Sequence, residues 1–376
     1  MSRGIRARLA LEDGWTALGR SVGARGTTSG ECVFNTCLSG YQEVLTDPSY
    51  AGQIVVMTYP LIGNYGIVEG DAESDGAQVA GYVMRECVRN PSNWQSSETL
   101  PDWLARHAVV AMEGIDTRAL TLHLRDHGAL RGVVTTETLD PEAAVARARS
   151  VPSMEGRDLT GEVTVREARS EGGGDLTVAA YDFGLKQNIV RRLAEAGCRV
   201  VRVPATASPA EILELQPDGI FCSNGPGDPA ATGAVIENLR RLTREAPELP
   251  TFGICLGHQL LALAHGGSTY KLKFGHHGGN HPVQNLRTGG IDITSHNHGF
   301  AVREETIGGR RVVAGAPELE ITHVNLYDGT VEGFRHVERP LFAVQYHPEA
   351  APGPHDARHH FDDFVAAMRA RRGNRV

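Results

Sequence analysis

A cysteine between two glycines is the residue in this sequence whose setting best suits covalent chemistry. A short apolar run at residues 251–254 leads into Cys255, and an apolar helix is predicted to follow at once. Such a strand-to-helix turn lifts one side chain out of the backbone, and the field at a helix N-terminus favours a thiolate. Gly253 and Gly257 suit a tight turn because they lack bulk. The pattern predicts a nucleophilic thiol, although cysteines more commonly pack in a core.

Two residues far down the chain could activate that thiol. His347 and Glu349 follow an apolar run at residues 341–346. In an extended segment, residues i and i+2 point to the same side, so the imidazole and the carboxylate can adjoin. A histidine can then take the thiol proton while the carboxylate orients the ring. The His-Pro-Glu sequence is weak by itself, and it gains weight from the candidate thiol in the same domain.

A glycine-rich loop, Asn-Gly-Pro-Gly-Asp-Pro at residues 224–229, follows another predicted strand. It lacks the Gly-Lys-Ser/Thr ending of a P-loop, and no G-x-G-x-x-G sequence opens the first predicted strand-to-helix turn of this domain. Its backbone N–H groups could form an oxyanion site. A phosphate cradle and a plain Pro/Gly turn remain alternatives at this point.

Histidines are crowded in the last third of the chain. Their spacing matches no zinc-binding pattern, and no pair of cysteines accompanies them. The sequence therefore predicts no metal site. The residues concerned are His276, His277, His281, His296, His298, His323, His336 and His347.

Strands alternate with helices from residue 176 onwards. This alternation predicts a mostly parallel sheet with helices on both faces, in which ligands bind at the carboxyl ends of the strands. Both glycine-bearing loops follow such strands. The predicted strands are 176–181, 199–203, 218–223 and 251–254, and the predicted helices are 186–196, 210–215 and 234–245. Beyond residue 270 the strands read as antiparallel, with a last strand at 341–346 and a terminal helix at 361–368.

The first 150 residues mix short strands and helices. Residues 53–59 predict a strand, residues 116–124 a capped helix that stops near Gly128, and residues 141–149 a further helix. Residues 168–175 include three consecutive glycines and have no apolar face, which predicts a linker. The fold class is therefore α/β, with an N-terminal mixed β/α domain at residues 1–170 and a C-terminal α/β domain with a mostly parallel sheet at residues 175–376.

Composition excludes several classes of protein. The 376 residues carry a formal charge of −8, which gives no electrostatic footprint for nucleic acid or an anionic membrane. No apolar run approaches membrane-spanning length, and the first residues lead into no apolar h-region, so we expect neither a membrane span nor a signal peptide. The six cysteines are scattered, which favours a reducing cytosol over a disulfide framework. Cys198 and Cys222 stand at the edges of predicted strands and fit packed core positions.

Three motifs in the second half, taken in order, resemble the triad glutamine amidotransferase family. They are Asn-Gly-Pro-Gly-Asp-Pro (224–229), Gly-Ile-Cys-Leu-Gly-His-Gln (253–259) and Gln-Tyr-His-Pro-Glu (345–349). The cysteine motif is common to the whole superfamily.

The first half narrows the resemblance to the carbamoyl-phosphate synthase small-subunit family. Three stretches are similar to its amino-terminal domain: residues 34–36, 40–50 and 59–66. Residues 275–283 and 352–357 also resemble the small subunit. The resemblance covers nearly the whole chain.

This resemblance implies a reaction and a role for each matched residue. Cys255 would attack the carboxamide carbon of glutamine and form a γ-glutamyl thioester. His347 would serve as base and then as acid, and Glu349 would orient it. The backbone N–H groups of Gly225 and Leu256 would form the oxyanion hole.

The resemblance also implies which residues hold the glutamine substrate. Ser49 belongs to the first domain, so the pocket would lie near the domain junction. The residues implied are Ser49, Gly227, Gln259, Asn297, Gly299 and Phe300.

The family implies a partner as well. Its large subunit uses ATP and magnesium to make carboxyphosphate and carbamate, and it receives ammonia through a tunnel. This chain would hold no cofactor, and its first domain would contact the large subunit. We therefore expect a cytoplasmic heteromer that makes carbamoyl phosphate for pyrimidine and arginine biosynthesis. Alternatives are a glutaminase subunit of another amidotransferase and a non-catalytic regulatory subunit.

Overall fold

The computed structural model describes residues 4–373. Residues 1–3, on which part of the signal-peptide prediction depends, lie outside the described residues, as do residues 374–376. Contacts divide the chain into two compact units. The first unit runs to Met154 and also includes Lys273–Gly278, and the second comprises Glu155–Leu272 and the residues from Gly279 onwards.

The first unit is built around a closed barrel with the strand order β1-β11-β3-β4-β7-β10-β2. Its strands are β1 Arg6–Leu11, β2 Thr16–Ser21, β3 Thr27–Asn35, β4 Gln53–Met57, β5 Leu61–Ile62, β6 Ile67–Val68, β7 Gly81–Val83, β8 Glu86–Cys87, β9 Ser96–Glu98, β10 Val110–Glu113 and β11 Leu130–Thr135. Its helices are α1 Tyr41–Thr46, the 3₁₀ helix Pro48–Tyr50, α2 Leu100–Arg106, α3 Thr117–His127 and α4 Pro141–Arg149.

The barrel was not foreseen in the mixed β/α prediction for this part of the chain. It closes because β1 pairs with both β2 and β11, which sets Leu9 opposite Val134. Such pairing joins residues far apart in sequence, and local patterns carry no information on it. The predicted helices at 116–124 and 141–149 are confirmed as α3 and α4, whereas β4 ends at Met57, short of the predicted residue 59.

The second unit is centred on one large sheet with the order β12-β14-β13-β15-β16-β23-β22-β21-β17-β18. Its strands are β12 Arg169–Glu171, β13 Leu176–Asp182, β14 Cys198–Pro204, β15 Gly219–Cys222, β16 Thr251–Ile254, β17 Thr269–Asn285, β18 Ile291–Val302, β19 Glu304–Ile307, β20 Arg310–Val313, β21 Ala316–Asn325, β22 Val331–His336 and β23 Leu341–Val344. Its helices are α5 Thr160–Val163, α6 Gln187–Glu195, α7 Pro209–Glu214, α8 Gly233–Glu245, α9 Leu256–Ala264 and α10 His359–Gly373, with 3₁₀ helices at Pro229–Ala231 and Asp356–Arg358.

The alternation of strands and helices produces the predicted parallel sheet. Strands β13 to β16 pair in parallel, and their side chains alternate between two cores. Ile220 and Cys222 of β15 pack on one face of the sheet, and Phe221 packs on the other. This alternation is the period-two pattern of a strand buried on both faces.

Strand β23 differs from the antiparallel expectation for the end of the chain. It pairs antiparallel with β22, but it runs parallel to β16, with Ile254 opposite Val344. The carboxyl ends of β16 and β23 therefore lie side by side. This register brings the residues after β23 next to Cys255, which follows β16.

The segment predicted as a linker is part of the second unit. Arg169–Glu171 forms edge strand β12, which pairs antiparallel with β14. The contacts divide the chain at Met154 and Glu155, whereas the sequence analysis set the boundary at residues 170–175. Edge-strand hydrogen bonds are made by the backbone, so a polar segment without an apolar face can still join a sheet.

Candidate active site

Cys255 occupies a strained turn between β16 and α9. Its φ is 54° and its ψ is −104°, a positive-φ conformation that is uncommon for any residue other than glycine. Its N–H donates to the Val344 carbonyl at 2.9 Å, and its carbonyl accepts from the Gln259 N–H at 3.2 Å. The strand and the helix thus fix both sides of the cysteine, which gives the elbow geometry that the sequence predicted.

Gly257 explains why the turn requires small residues. A Cβ atom at this position would lie 2.1 Å from the Cys222 carbonyl oxygen, much closer than real contacts allow. The Gly257 N–H donates to the Ser223 carbonyl at 2.9 Å. The first turn of α9 is therefore pressed against the end of β15, which sets the position of Cys255.

His347 and Glu349 adjoin as predicted, but not in an extended segment. The distance from His347 Nδ1 to Glu349 Oε1 is 2.7 Å, and both side chains are buried. Strand β23 ends at Val344, and Ala350 N–H donates to the His347 carbonyl at 3.1 Å, which closes a turn. The chain must turn here because the paired strand has ended. Within residues 4–373, Nε2 of His347 makes no hydrogen bond, so it is the ring nitrogen that remains for a thiol or a substrate.

Glu349 has a buried cationic partner that the sequence analysis did not select. Lys186 Nζ lies 2.9 Å from Glu349 Oε1 and 2.9 Å from the Ala350 carbonyl. The Lys186 side chain is only 3% exposed. Asn188 donates its side-chain amide to the Glu349 carbonyl at 2.7 Å. The segment before α6 and the first turn of α6 thus position both the carboxylate and the backbone of Glu349.

The charges in this group support one another. Burial alone would raise the pKa of Glu349, but Lys186 and His347 outweigh burial and lower it to about 2. Burial alone would lower the pKa of His347, but the Glu349 carboxylate and Cys255 outweigh burial and raise it to about 10. The imidazolium form is therefore favoured, and it is the form that stabilises a thiolate at a neighbouring cysteine.

Strand β18 and helix α9 supply further residues implied by the family resemblance. Cys255 Sγ lies 3.5 Å from the Asn297 carbonyl oxygen. The Phe300 carbonyl accepts from the Gln259 side-chain amide at 2.8 Å. Gly299 lies between Asn297 and Phe300 and has open space where a Cβ atom would stand. These residues thus lie close to the elbow in the second unit.

Two backbone N–H groups beside Cys255 are open. Within residues 4–373, neither Gly225 nor Leu256 donates its backbone N–H to an acceptor. A Cβ atom on Gly225 would lie 2.9 Å from Leu256 Cδ2, so the two residues are neighbours. Gly227 in the same loop has a φ of 93°. Two open donors next to a nucleophile suit an oxyanion site, which favours that alternative over a phosphate cradle.

Ser49 is the predicted substrate residue that belongs to the first unit. It lies in the 3₁₀ helix Pro48–Tyr50 and is 7% exposed. Its N–H is capped by the Asp47 carboxylate at 2.9 Å.

Several histidines of the crowded last third form a buried hydrogen-bonded chain. His296 Nε2 lies 2.7 Å from Thr294 Oγ1, and His296 Nδ1 lies 3.1 Å from His298 Nε2. His298 Nδ1 donates to the Phe300 carbonyl at 2.8 Å. Asn297 lies between His296 and His298 in the sequence, so these hydrogen bonds support the part of β18 that contacts Cys255. On α10, His359, His360 and Asp363 each place one possible ligand atom within 4.8 Å of the others.

The six cysteines are free thiols. Burial raises the pKa of Cys198 to about 11 and raises the pKa of Cys222 well above its usual range. Both pack in the cores on either side of the sheet, as expected for structural cysteines.

Lys186, Asn188 and Gln345 contribute to the site but were not selected from the sequence. Lys186 is one of three lysines in the whole chain and stands at a strand-to-helix connection, which was the available signal. Gln345 stands within the quoted motif at residues 345–349, directly before the candidate base. Asn188 carries no signal in one sequence, because an asparagine at a helix start is common.

Among residues 4–373, the structure contains no helix long and apolar enough to cross a membrane.

The fold and the Cys255–His347–Glu349 geometry agree with the comparisons for the second half of the chain. Residues 179–367 match the family model described as glutamine amidotransferase class-I. Residues 9–134 match the model described as carbamoyl-phosphate synthase small chain, CPSase domain. These two matches define the class of protein, a chain that joins a carbamoyl-phosphate synthase small-chain domain to a class-I glutamine amidotransferase domain.

Full-length relatives specify the family. A carbamoyl phosphate synthase small chain from Syntrophotalea carbinolica is 51% identical over 98% of this chain and 99% of its own length. One from Thermotoga maritima is 51% identical over 96% of this chain and 97% of its own length. One from Nitratidesulfovibrio vulgaris strain Hildenborough is 50% identical over 98% of this chain and all of its own length. The chain belongs to the carbamoyl phosphate synthase small chain family.

Proposed function

We propose that this chain is the glutaminase subunit of a glutamine-hydrolysing carbamoyl-phosphate synthase. The observation that carries the proposal is the strained Cys255 elbow beside a buried His347–Glu349 pair, in a chain of this family. The chain would hydrolyse glutamine to glutamate and ammonia. Its product would be the nitrogen source for carbamoyl phosphate synthesis.

The first chemical step would be formation of a thioester. Cys255 Sγ bonds to the carboxamide carbon of glutamine, and the carbonyl oxygen takes up negative charge between the N–H groups of Gly225 and Leu256. His347, already protonated beside Glu349, donates its proton to the nitrogen as the carbon–nitrogen bond breaks. Ammonia leaves, and the γ-glutamyl thioester remains.

The second step would return the enzyme to its starting state. Neutral His347 accepts a proton from water while the oxygen bonds to the thioester carbon. The carbon–sulfur bond then breaks with its electron pair going to the Cys255 sulfur, glutamate leaves, and His347 is again an imidazolium. Lys186 and Glu349 keep the charge balanced through both steps.

The substrate would be held by the residues that the family resemblance implies. Gln259, Asn297, Gly299 and Phe300 lie near Cys255 in the second unit, and Gly227 belongs to the loop that carries Gly225. Ser49 in the first unit is assigned to the same role by resemblance alone. A Ser49→Ala variant with an unchanged KM for glutamine would remove Ser49 from this set.

We infer a partner, no cofactor in this chain, and a cytoplasmic location. The family name, a small chain, supports a large-subunit partner. As the family resemblance implies, that subunit would use ATP and magnesium and would receive ammonia through a channel. Six free cysteines support a reducing compartment. Carbamoyl phosphate would supply pyrimidine and arginine synthesis. Size exclusion of the two co-expressed chains should give one shared peak, and two separate peaks would contradict a stable heteromer.

The direct test is to label the nucleophile. A glutamine analogue with an electrophilic carbon should modify Cys255 and leave the other five cysteines unmodified, as read by mass spectrometry of peptides. Cys255→Ser should abolish glutamine-dependent synthesis by the two-chain complex and leave ammonia-dependent synthesis intact. Cys198→Ala, which removes a core thiol, is the matched control and should keep both activities. Absence of an adduct on Cys255 would favour the non-catalytic alternative.

A further inference from the structure

Both hydrogens of the Gln259 side-chain amide are used inside the protein. Nε2 donates to the Phe300 carbonyl at 2.8 Å and to Gln345 Oε1 at 3.0 Å. A backbone carbonyl only accepts, so the atom facing Phe300 must be the nitrogen, and the orientation of the amide is fixed. A side-chain amide has two N–H groups, and neither is left over.

The oxygen of Gln259 is therefore the polar atom that remains for a ligand. Within residues 4–373, Gln259 Oε1 accepts no hydrogen bond. A group opposite this oxygen must be a hydrogen-bond donor, because an acceptor would meet a lone pair. If Gln259 contacts glutamine, as the proposed function holds, it does so as an acceptor for an ammonium or amide N–H.

Gln345 is held firmly enough to fix its neighbour. It directly follows β23, its N–H donates to the Glu332 carbonyl at 2.9 Å, and its side chain is fully buried. The adjacent His258 is neutral, because burial lowers its pKa to about 3 despite an interaction with Gln345 that raises it. Neither ring nitrogen of His258 makes a hydrogen bond within residues 4–373, so His258 does not compete with Gln259 for the Gln345 oxygen.

We propose that Gln345 is a positioning residue that sets substrate specificity. The Gln345 side-chain oxygen accepts a hydrogen bond from the second N–H of Gln259. Gln259 therefore presents only its acceptor oxygen to the substrate. Without that oxygen the second N–H is free, and the amide can offer a donor as well. Selection for a substrate with a donor at this position, such as the α-ammonium group of glutamine, then weakens.

The experiment measures specificity in the complex of the small and large chains. The variants are Gln345→Met, which keeps the size but removes the oxygen, and Gln345→Glu, which keeps an accepting oxygen. The substrates are L-glutamine and glutaramate, the same carboxamide without the α-amino group. Ammonia release gives kcat and KM for each.

Gln345→Met should raise the KM for glutamine by about tenfold or more, the loss of one buried hydrogen bond, with kcat within about threefold. The ratio of kcat/KM for glutamine over glutaramate should fall by about tenfold, and Gln345→Glu should recover most of that ratio. If Gln345→Met does not fold, Gln345→Asn, which withdraws the oxygen by one methylene, takes its place with the same expectations.

Two results would overturn the proposal. One is an unchanged KM and an unchanged ratio in a folded variant without the Gln345 oxygen. The other is an equal loss of kcat for both substrates with KM unchanged, which would indicate a general structural role. Failure of the unmutated complex to release ammonia from glutamine would instead refute the proposed function itself.

Discussion

The Lys186 ammonium lies 2.9 Å from the Glu349 carboxylate, although 163 positions separate the two residues in the chain. Both side chains are buried, and Glu349 also contacts His347 at 2.7 Å. The Lys186 ammonium and the His347 imidazole thus contact the same carboxylate oxygen of Glu349. The behaviour of the site should depend on all three side chains and not on His347 and Glu349 alone.

Lys186→Met should destabilise the protein strongly. It leaves the Glu349 charge buried beside His347 alone, and breaking a buried ion pair costs about 3–5 kcal/mol. Urea denaturation should show this loss. Lys273→Met is the matched control, because it makes the same change at an exposed lysine, and it should cost less than about 0.5 kcal/mol. Equal effects of the two variants would show that the Lys186 pair contributes nothing to stability.

Glu349→Gln should lower glutaminase activity and shift its pH profile. The carboxylate is the main group that raises the pKa of His347, so without it that pKa falls and the imidazolium is lost at lower pH. We expect kcat to drop by about 10²–10⁴-fold, with the alkaline limb of the profile moved to lower pH. Ammonia release measured from pH 6 to pH 10 checks both points. A uniform loss with an unmoved alkaline limb would contradict the proposed role of the carboxylate.

The pKa shifts also predict how stability depends on pH. The pKa of His347 rises from 6.5 to about 10 on folding, so its contribution is complete below pH 6.5 and is lost as pH rises towards 10. The pKa of Glu349 falls from 4.5 to about 2, so its contribution is complete above pH 4.5 and is lost as pH falls towards 2. Both contributions are therefore complete between pH 4.5 and 6.5.

The stability difference between the unmutated chain and His347→Gln should follow this dependence. It should be largest near pH 5.5 and shrink as pH rises from 6.5 to 10, in urea denaturation at several pH values. His359→Gln removes an exposed histidine and is the control, with a small difference at every pH. A difference for His347→Gln that grows above pH 7 would have the wrong sign and would refute the assignment.

Gly257→Ala should disturb the elbow. The added methyl group would lie 2.1 Å from the Cys222 carbonyl oxygen, and backbone must move to make room. We expect a loss of about 1–3 kcal/mol in stability and a larger proportional loss of glutaminase activity, because Cys255 moves with the helix start. Gly233→Ala, at the start of α8 with nothing near the new methyl group, is the control and should be near neutral. Full activity of Gly257→Ala would show that the elbow tolerates this shift.

The sequence predicted the second unit far better than the first. The helices α6 to α9 and strands β13 to β16 follow the predicted pattern closely, because each shows a local period and a clear end such as Gly197 after α6. The barrel of the first unit depends on pairing between β1 and β11, and no local pattern encodes such pairing. The parallel pairing of β23 with β16 could not be predicted from the sequence either, although it places the residues that follow β23 next to Cys255.

Within the site, the sequence pointed to groups whose chemistry is conspicuous. Cys255, His347 and Glu349 are reactive or titratable, and their order along the chain matched a family. Lys186 and Gln345 act through another side chain, and such roles emerge only when distances are known. The roles of the remaining substrate residues stay predictions until kinetic measurements test them.

The hexapeptide Lys273–Gly278 is flanked in the sequence by segments of the second unit, so the two units cannot be separated by cutting the chain at one place. It belongs to the first unit, where Ala129 N–H donates to the Lys273 carbonyl at 2.8 Å and Thr36 N–H donates to the His277 carbonyl at 3.1 Å. The chain therefore leaves the first unit at Met154, returns to it and leaves again. No single cut can yield two intact pieces. A gene split or a truncation near residue 155 would leave the first unit without this hexapeptide, which would stay in the other piece as the middle of β17, Thr269–Asn285.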